Sequence, residues 1–285
     1  MRDQTIALQD GRQVGFVDYG RIEDTAVIWC HGGPGTRLEP AQLGPKAVEA
    51  GLRIIGVDRP GYGLSTPQPG RTIGDWCSDA LAVADHLAIE RFVTVGFSTG
   101  GAYALAVAAL APDRVIGVVA CCSMTDMRCD ECRSTMSKPH AVSVWDAGDR
   151  DAALAAAVAA HGENGSKMGD IVAVLCPSDL ALFRNPDWMT AEMAAMPAMF
   201  AHGLEGYTDD RLADGCGWVS FDVGAVTCPV TVLHGGSDAL VDVTHAHHTA
   251  GLIPQARLRV FEPLGHFSIV NEVIPSIAEI LDDKR

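Results

Sequence analysis

Gly96-Phe97-Ser98-Thr99-Gly100-Gly101 is the most informative stretch of this 285-residue sequence. It follows a short apolar run, Phe92–Gly96, and precedes a helical pattern, Gly101–Ala111. A G-x-S-x-G motif between a strand and a helix is typical of a nucleophile elbow, a strained turn that presents a serine hydroxyl and needs glycines for close backbone packing. The N-terminus of the following helix carries a partial positive charge, which stabilises negative charge that develops on a reacting oxygen. We therefore predict that Ser98 is a nucleophile.

Strand-like and helix-like segments alternate on both sides of this turn. The strand-like runs are short, apolar and rich in β-branched residues, which fits strands buried on both faces of a sheet. After an opening hairpin, Gln4–Leu8 and Gln13–Tyr19, they are Ala26–Cys30, Ile54–Val57, Phe92–Gly96, Val115–Ala120, Val230–Leu233 and Leu258–Phe261. Helical patterns lie between them, at Ile73–Leu87, Gly101–Ala111, Val243–Leu252 and Ile269–Leu281. This alternation predicts an α/β fold with a doubly wound, mostly parallel sheet.

One long segment interrupts the alternation. Residues 125–226 contain Ala-rich helical patterns, Ala152–Ala160 and Met189–Phe200, and no convincing strand alternation. A structureless loop of this length is implausible in a compact domain. The segment carries 16 acidic and 7 basic residues, so it is more acidic than the rest. We predict a helical cap at 125–226 that covers a core formed by residues 1–124 and 227–285.

A second glycine-rich turn, His31-Gly32-Gly33-Pro34-Gly35, directly follows the run Ala26–Cys30. Glycines at this place let a main-chain N–H point at a bound oxygen, and the N–H of the residue after the nucleophile can supply a second donor. We predict an oxyanion hole formed by the main chains of Gly33 and Thr99. His31 itself is interpreted as structural.

A serine nucleophile requires a base, and the base requires an orienting carboxylate. Among ten histidines, His266 lies in the loop between the last predicted strand and the last predicted helix. Asp238 directly follows the preceding strand, and the order Ser98, Asp238, His266 is the nucleophile–acid–base order expected for this topology. Asp126 is the alternative acid, and Asp242 is a more distant third.

Composition excludes several classes of function. The formal net charge of -15 argues against binding nucleic acid or an anionic membrane surface, since both call for clustered Lys and Arg. The beginning of the sequence shows no apolar signal segment, and the apolar stretch 102–111 is too short to cross a bilayer. The nine cysteines are expected to be reduced thiols in a cytoplasm. Cys129 and Cys132 form a lone CxxC, interpreted as ordinary thiols without a metal.

Together these motifs resemble those of the α/β-hydrolase superfamily. The elbow, the HGGPG turn, the run Asp58-Arg59-Pro60-Gly61-Tyr62-Gly63-Leu64-Ser65, and the surroundings of Asp238 and His266 carry the resemblance. It implies a triad of Ser98, Asp238 and His266 under a helical lid, with neither cofactor nor metal. The HGGPG form is similar to that of prolyl iminopeptidases and related esterases. That peptidase group usually has Trp after the nucleophile, where this chain has Thr99, which favours the esterases.

The cap is expected to supply the substrate pocket. Apolar and aromatic side chains suit a bulky apolar group, and the candidates are Trp145, Trp188, Met193, Met196, Met199 and Phe200. We predict hydrolysis of a small apolar ester or lactone through an acyl-enzyme. The alternatives are a proline iminopeptidase that holds a substrate amine with Glu192 or Glu205, a cofactor-free perhydrolase, a carbon–carbon bond hydrolase, and a ligand-binding member of the fold without catalysis.

Overall fold

A computed structural model describes residues 3–136 and 139–283, and its framework is one eight-stranded sheet. In chain order the strands are β1 (Gln4–Ala7), β2 (Gln13–Asp18), β3 (Thr25–Cys30), β4 (Leu52–Val57), β5 (Phe92–Phe97), β6 (Val115–Cys121), β7 (Val230–Gly235) and β8 (Ala256–Phe261). Their order across the sheet is β1-β2-β4-β3-β5-β6-β7-β8. The pairs β1–β2 and β2–β4 are antiparallel, and the others are parallel.

Helices cover both faces of this sheet. The described α-helices of the chain are α1 (Gly44–Glu49), α2 (Trp76–His86), α3 (Gly100–Leu110), α4 (Asp130–Ser134), α5 (Pro139–Trp145), α6 (Arg150–His161), α7 (Pro177–Phe183), α8 (Pro186–Met199), α9 (Glu205–Gly215), α10 (Thr244–Leu252) and α11 (Val273–Asp282). One apolar cluster includes residues of α2, α3 and α10, and a second includes residues of α1 and α11. The predicted doubly wound α/β fold is confirmed.

The predicted start of the second helix was three residues too early. The pattern indicated a helix from Ile73, whereas α2 begins at Trp76. The Thr72 N–H donates to Asp75 Oδ2 over 2.7 Å, and the Asp75 N–H donates to Thr72 Oγ1 over 3.3 Å. These two reciprocal bonds hold the residues before the helix in a turn, because short polar side chains compete with the helical backbone for its donors.

Between β6 and β7 the described elements are helices only: α4 to α9 and three 3₁₀ segments, Glu163–Gly165, Met168–Val174 and Val223–Ala225. A separate apolar cluster lies within this region and includes Val144, Ala153, Ala157 and Met199. The helical content agrees with the sequence pattern, while the boundaries 125–226 of a cap stay a prediction. Within the described ranges, every helix is too short or too polar to span a lipid bilayer.

Candidate active site

Ser98 occupies a strained position between β5 and α3. Its φ angle is +52°, in the left-handed region that non-glycine residues rarely adopt. Two main-chain hydrogen bonds hold Ser98 in this conformation. The Ser98 N–H donates to the Cys121 carbonyl over 2.8 Å, and the Gly101 N–H donates to the Ser98 carbonyl over 3.1 Å. A Cβ atom at Gly96 would overlap the backbone of Gly100. The tight turn therefore depends on glycine where the sequence has it.

Asp238 and His266 lie together in the loops that follow β7 and β8. His266 Nδ1 is 2.7 Å from Asp238 Oδ2, and the Asp238 side chain is 1% exposed. The other carboxylate oxygen, Oδ1, accepts the N–H groups of Leu240 and Val241 over 2.8 and 3.0 Å. One oxygen thus fixes the carboxylate to the main chain and the other orients the imidazole, as a base–orienter pair requires.

The two groups shift each other's protonation. Burial acts to lower the pKa of His266, but the charge of Asp238 and its hydrogen bond to the ring raise that pKa above the ordinary histidine value. Burial acts to raise the pKa of Asp238, whereas His266 lowers it below the ordinary carboxyl value. Both shifts favour an imidazolium paired with a carboxylate, because each charge is stabilised by the other.

The alternative acids have other partners. Asp126 accepts hydrogen bonds from Arg128, with Nη2 2.5 Å from Oδ2, and from the main chain of Trp218 over 3.3 Å. Asp242 Oδ1 accepts the N–H of Thr244 over 2.9 Å, just before α10. The structure therefore brings His266 together with Asp238 rather than with these two candidates.

A cavity of about 370 Å³ contains the predicted nucleophile and the predicted base. Ser98 and His266 both line it, as do Gly33 and Thr99, the two predicted oxyanion-hole residues. A Cβ at Gly33 would lie 2.8 Å from Thr99 Oγ1, so only glycine fits this approach. Ser98, His266 and both predicted main-chain donor residues therefore line the same cavity.

Two charged side chains, the half-buried Glu39 and the buried Arg59, hold the turn that contains Gly33. Glu39 Oε1 accepts the Gly32 N–H over 3.0 Å, and its Oε2 accepts the indole N–H of Trp29 over 2.6 Å. Burial raises the pKa of Glu39 to about 7, while these two hydrogen bonds favour its charged form. Arg59 donates from Nη2 to the Gly32 carbonyl over 2.8 Å and from Nη1 to the His31 carbonyl. His31 itself is buried and accepts the Arg59 N–H, which agrees with its structural interpretation.

A fully buried carboxylate on α9 holds Arg59 in place. Asp210 pairs with Arg59 and Arg71, each over 2.7 Å, and accepts the hydroxyls of Tyr62 and Tyr103, each over 2.8 Å. Burial acts to raise the pKa of Asp210, but the two guanidinium groups hold it well below the ordinary carboxyl value. The sequence does not reveal this network, because Asp210 lies in a charge-dense stretch that is typical of a solvated helix face.

The cavity wall agrees only in part with the pocket predicted from sequence. Four of the six candidates line the cavity, namely Trp188, Met193, Met196 and Met199. Trp145 instead packs against Gly215 and donates its indole N–H to Asp214 over 2.5 Å. Phe200 packs over Gly165 in the separate apolar cluster that includes Val144 and Met199. Neither is among the described lining residues, so the pocket proposed below excludes Trp145 and Phe200.

The two acidic residues predicted to hold a substrate amine, Glu192 and Glu205, lie in different surroundings. Glu192 lines the cavity, and its Oε1 accepts a hydrogen bond from Gln42 over 3.1 Å. Burial raises the pKa of Glu192, an effect that the Gln42 hydrogen bond opposes. Glu205, by contrast, is 42% exposed in its side chain and lies 3.6 Å from Arg150. Glu205 therefore contacts another charge outside the described cavity lining.

A cation that sequence analysis did not single out also lines the cavity. Arg211 of α9 donates from Nη2 to Thr99 Oγ1 over 2.6 Å and pairs with Asp214 over 2.6 Å. Thr99 contributes one of the two predicted oxyanion donors, so Arg211 fixes the side chain of that residue. Only the packing of α9 onto the elbow places this arginine at the site, and no local motif marks it.

Comparison with known proteins identifies the family. A family model described as the alpha/beta hydrolase fold matches residues 25–273. A non-heme haloperoxidase from Rhodococcus erythropolis is 26% identical over 267 residues, which cover 92% of each chain. Two solved structures share the fold. A thermophilic esterase from Thermogutta terrifontis has a TM-score of 0.71 at 24% identity, with 99% of both chains covered. An enol-lactonase from Burkholderia xenovorans has a TM-score of 0.68 at 18% identity, with 98% of this chain and 100% of that chain covered. Since the family model extends from the start of β3 to the start of α11, the chain belongs to the α/β-hydrolase fold family.

Proposed function

We propose that this protein is a serine hydrolase that cleaves small apolar esters or lactones. The observation that carries the proposal is the pairing of His266 with Asp238 over 2.7 Å beside the cavity that Ser98 lines. A nucleophile, a base and an orienter of that base are the parts that acyl transfer requires. The esterase and lactonase structures that share this fold agree with the substrate class.

In the proposed mechanism Ser98 Oγ attacks the carbonyl carbon while His266 takes the hydroxyl proton. The main-chain N–H groups of Gly33 and Thr99 stabilise the oxyanion of the tetrahedral intermediate, and Asp238 stabilises the imidazolium. His266 then returns the proton to the leaving alkoxide, which leaves Ser98 acylated. A water molecule deprotonated by His266 hydrolyses the acyl-enzyme and regenerates the free serine.

The cavity wall supports an apolar substrate. Trp188, Met189, Met193, Met196 and Met199 all come from α8, and every one of them lines the cavity. Thioether side chains are flexible and polarizable, so such a wall adapts to acyl or alcohol groups of different shape. The volume of about 370 Å³ is within the usual range of small-molecule pockets.

An iminopeptidase-type activity is the second candidate, because Glu192 lines the cavity. We expect kcat/KM for a short-chain p-nitrophenyl ester to exceed that for proline-β-naphthylamide by roughly tenfold or more, since the wall is mostly apolar. Replacement of Glu192 by Gln should change ester turnover by less than about threefold, because a neutral amide fits beside Gln42. Steady-state kinetics on both substrates measures these values.

Glu205→Gln is the matched control, because this carboxylate lies outside the described cavity lining. Faster cleavage of the prolyl amide than of every ester, lost in Glu192→Gln and kept in Glu205→Gln, would establish the iminopeptidase instead. Labelling by a fluorophosphonate probe that requires Ser98 separates both enzymes from a binding protein without catalysis.

The raised pKa of His266 has a consequence for the pH profile. The proposed base accepts a proton only when neutral, and Asp238 stabilises its cationic form, so kcat/KM should rise as pH increases through the pKa of His266. The midpoint should lie above the ordinary histidine value of about 6.5. In Asp238→Asn the midpoint should move down, because the stabilising charge is gone. A midpoint that Asp238→Asn leaves unchanged would show that another group limits the rate.

A further inference from the structure

Three metal-ligating side chains from distant parts of the sequence meet beside the α4 helix. One ligand atom each from Cys129, Cys132 and His248 lies within 4.8 Å of the others. Cys129 directly precedes α4, Cys132 lies in its first turn, and His248 belongs to α10. We propose that these three residues bind a zinc-type divalent cation. The proposal replaces the expectation of ordinary thiols, because the third ligand was not recognisable from the CxxC alone.

The chemistry of the donor set favours a zinc-type ion. Two thiolates and one imidazole are the ligands that zinc prefers, and a water molecule completes its tetrahedron when the protein supplies three. Cys129 and His248 are half-buried, so an ion and a water reach the site from solvent, while Cys132 is buried. The carboxylates of Asp130 and Glu131 lie between the two cysteines in sequence and add negative charge that favours a divalent cation.

The two cysteine sulfurs are neighbours, and a small opening of the pair would place both on one ion, because two Zn–S bonds of about 2.3 Å at a tetrahedral angle separate the sulfurs by about 3.8 Å. The two sulfur atoms are 2.8 Å apart, and the Cys132 N–H donates to Cys129 Sγ over 3.4 Å. A backbone donor of this kind stabilises a charged sulfur. Binding involves no redox change: each thiol releases its proton to solvent as its sulfur–metal bond forms, and the ion loses water molecules in exchange.

The histidine has the second partner that metal-bound imidazoles need. His248 Nδ1 lies 2.8 Å from Thr125 Oγ1, and that hydroxyl accepts a hydrogen bond from Thr249 over 2.9 Å. A hydrogen bond at one ring nitrogen fixes the orientation of the imidazole and leaves the other nitrogen for the metal. The ring is therefore held in place before an ion arrives.

The position of the site links two regions of the molecule. Cys129 and Cys132 belong to the segment after β6, and Met124 and Met136 of the same segment line the catalytic cavity. His248 belongs to α10, which packs on the sheet. A bound ion would cross-link this part of the cavity wall to the sheet, so its first effect should be on stability rather than on the chemistry of Ser98.

The test uses the full chain, treated first with reductant and chelator. Co²⁺ is the spectroscopic probe, since cobalt bound to thiolates shows a sulfur-to-metal charge-transfer band. We expect one Co²⁺ per chain, displaced by Zn²⁺, and a rise in Tm of about 5 °C at a hundredfold excess of Zn²⁺ over its Kd. Cys129→Ser, Cys132→Ser and His248→Ala should each weaken binding about a hundredfold or more and remove the Tm rise.

Two matched variants serve as controls. Cys216→Ser removes an exposed thiol elsewhere, and His247→Ala removes the exposed neighbour of His248 on α10. Both should bind Co²⁺ like the unmodified protein. The proposal is overturned if no thiolate band appears in the unmodified protein, a result that needs no variant to fold, or if all three ligand variants keep the ion.

Two further outcomes would also overturn it. Cys122, Asp238 and His266 form another cluster whose ligand atoms lie within 4.8 Å of one another. Loss of the bound Co²⁺ in Cys122→Ser, together with its retention in Cys129→Ser, would place the ion there instead. A native protein two hydrogens lighter, with Cys129 and Cys132 missing from the thiol count after denaturation, would make the pair a disulfide instead.

Discussion

Ester hydrolysis by Ser98→Ala is expected to fall about ten-thousandfold or more in kcat, because the variant has no atom that can form the acyl-enzyme. The fold should remain intact, since the replacement removes one oxygen atom from a half-buried side chain and keeps the main-chain bonds of the elbow. The change in the free energy of unfolding should stay within about 1 kcal/mol. Steady-state kinetics and thermal unfolding measure the two quantities.

Ser237→Ala is a suitable control for the nucleophile. This serine lies one residue before Asp238, and its hydroxyl donates to the Glu262 carbonyl over 2.6 Å. It should keep activity close to that of the unmodified protein. Ester turnover by Ser98→Ala above a tenth of normal, or probe labelling that survives the substitution, would refute the assignment of the nucleophile.

Asp238→Asn is expected to reduce kcat by about ten-thousandfold. An amide in place of the carboxylate neither stabilises the imidazolium nor keeps the ring nitrogen that faces it protonated, so the base loses its charge partner and its correct tautomer. Asp126→Asn tests the alternative acid. Its carboxylate pairs with Arg128, so we expect activity within about threefold of normal. A more severe defect in Asp126→Asn than in Asp238→Asn would contradict the acid assignment.

Sequence patterns predicted the sheet well, because strands buried on both faces consist of short apolar β-branched runs. Runs such as Ile54–Val57 and Val230–Leu233 lie inside β4 and β7, each entirely buried. The elbow could be predicted equally well, since a G-x-S-x-G motif between a strand and a helix leaves few alternatives to a nucleophile role for Ser98. Chain order then singled out Asp238 and His266, which the structure brings within hydrogen-bonding distance.

The side-chain orientations in the helical segment between β6 and β7 were harder to predict, because tertiary packing decides which face of each helix is buried. Apolar residues lie on more than one face of α8. The helical periodicity of the sequence therefore does not show which of them line the cavity and which pack against neighbouring helices. The aromatic character of Trp145 and Phe200 favours a place in the pocket, yet Trp145 packs against Gly215 and Phe200 packs over Gly165. Arg211 and Glu39 were missed for the same reason, since tertiary packing alone brings them to the cavity.

The Asp210–Arg59 pair limits how the helices between β6 and β7, the predicted cap, can be exchanged for those of a relative. Asp210 belongs to α9, while Arg59 holds the carbonyls of the turn that contains Gly33. A transplanted cap that lacks an acid at this position would leave a buried guanidinium without its counter-charge, a defect worth about 3–5 kcal/mol. A chimera made to change the substrate range would thus lose the geometry of the predicted oxyanion turn as well as the original pocket. A chimera between relatives should fold and keep this turn only where the introduced helix has an aspartate at the position of Asp210.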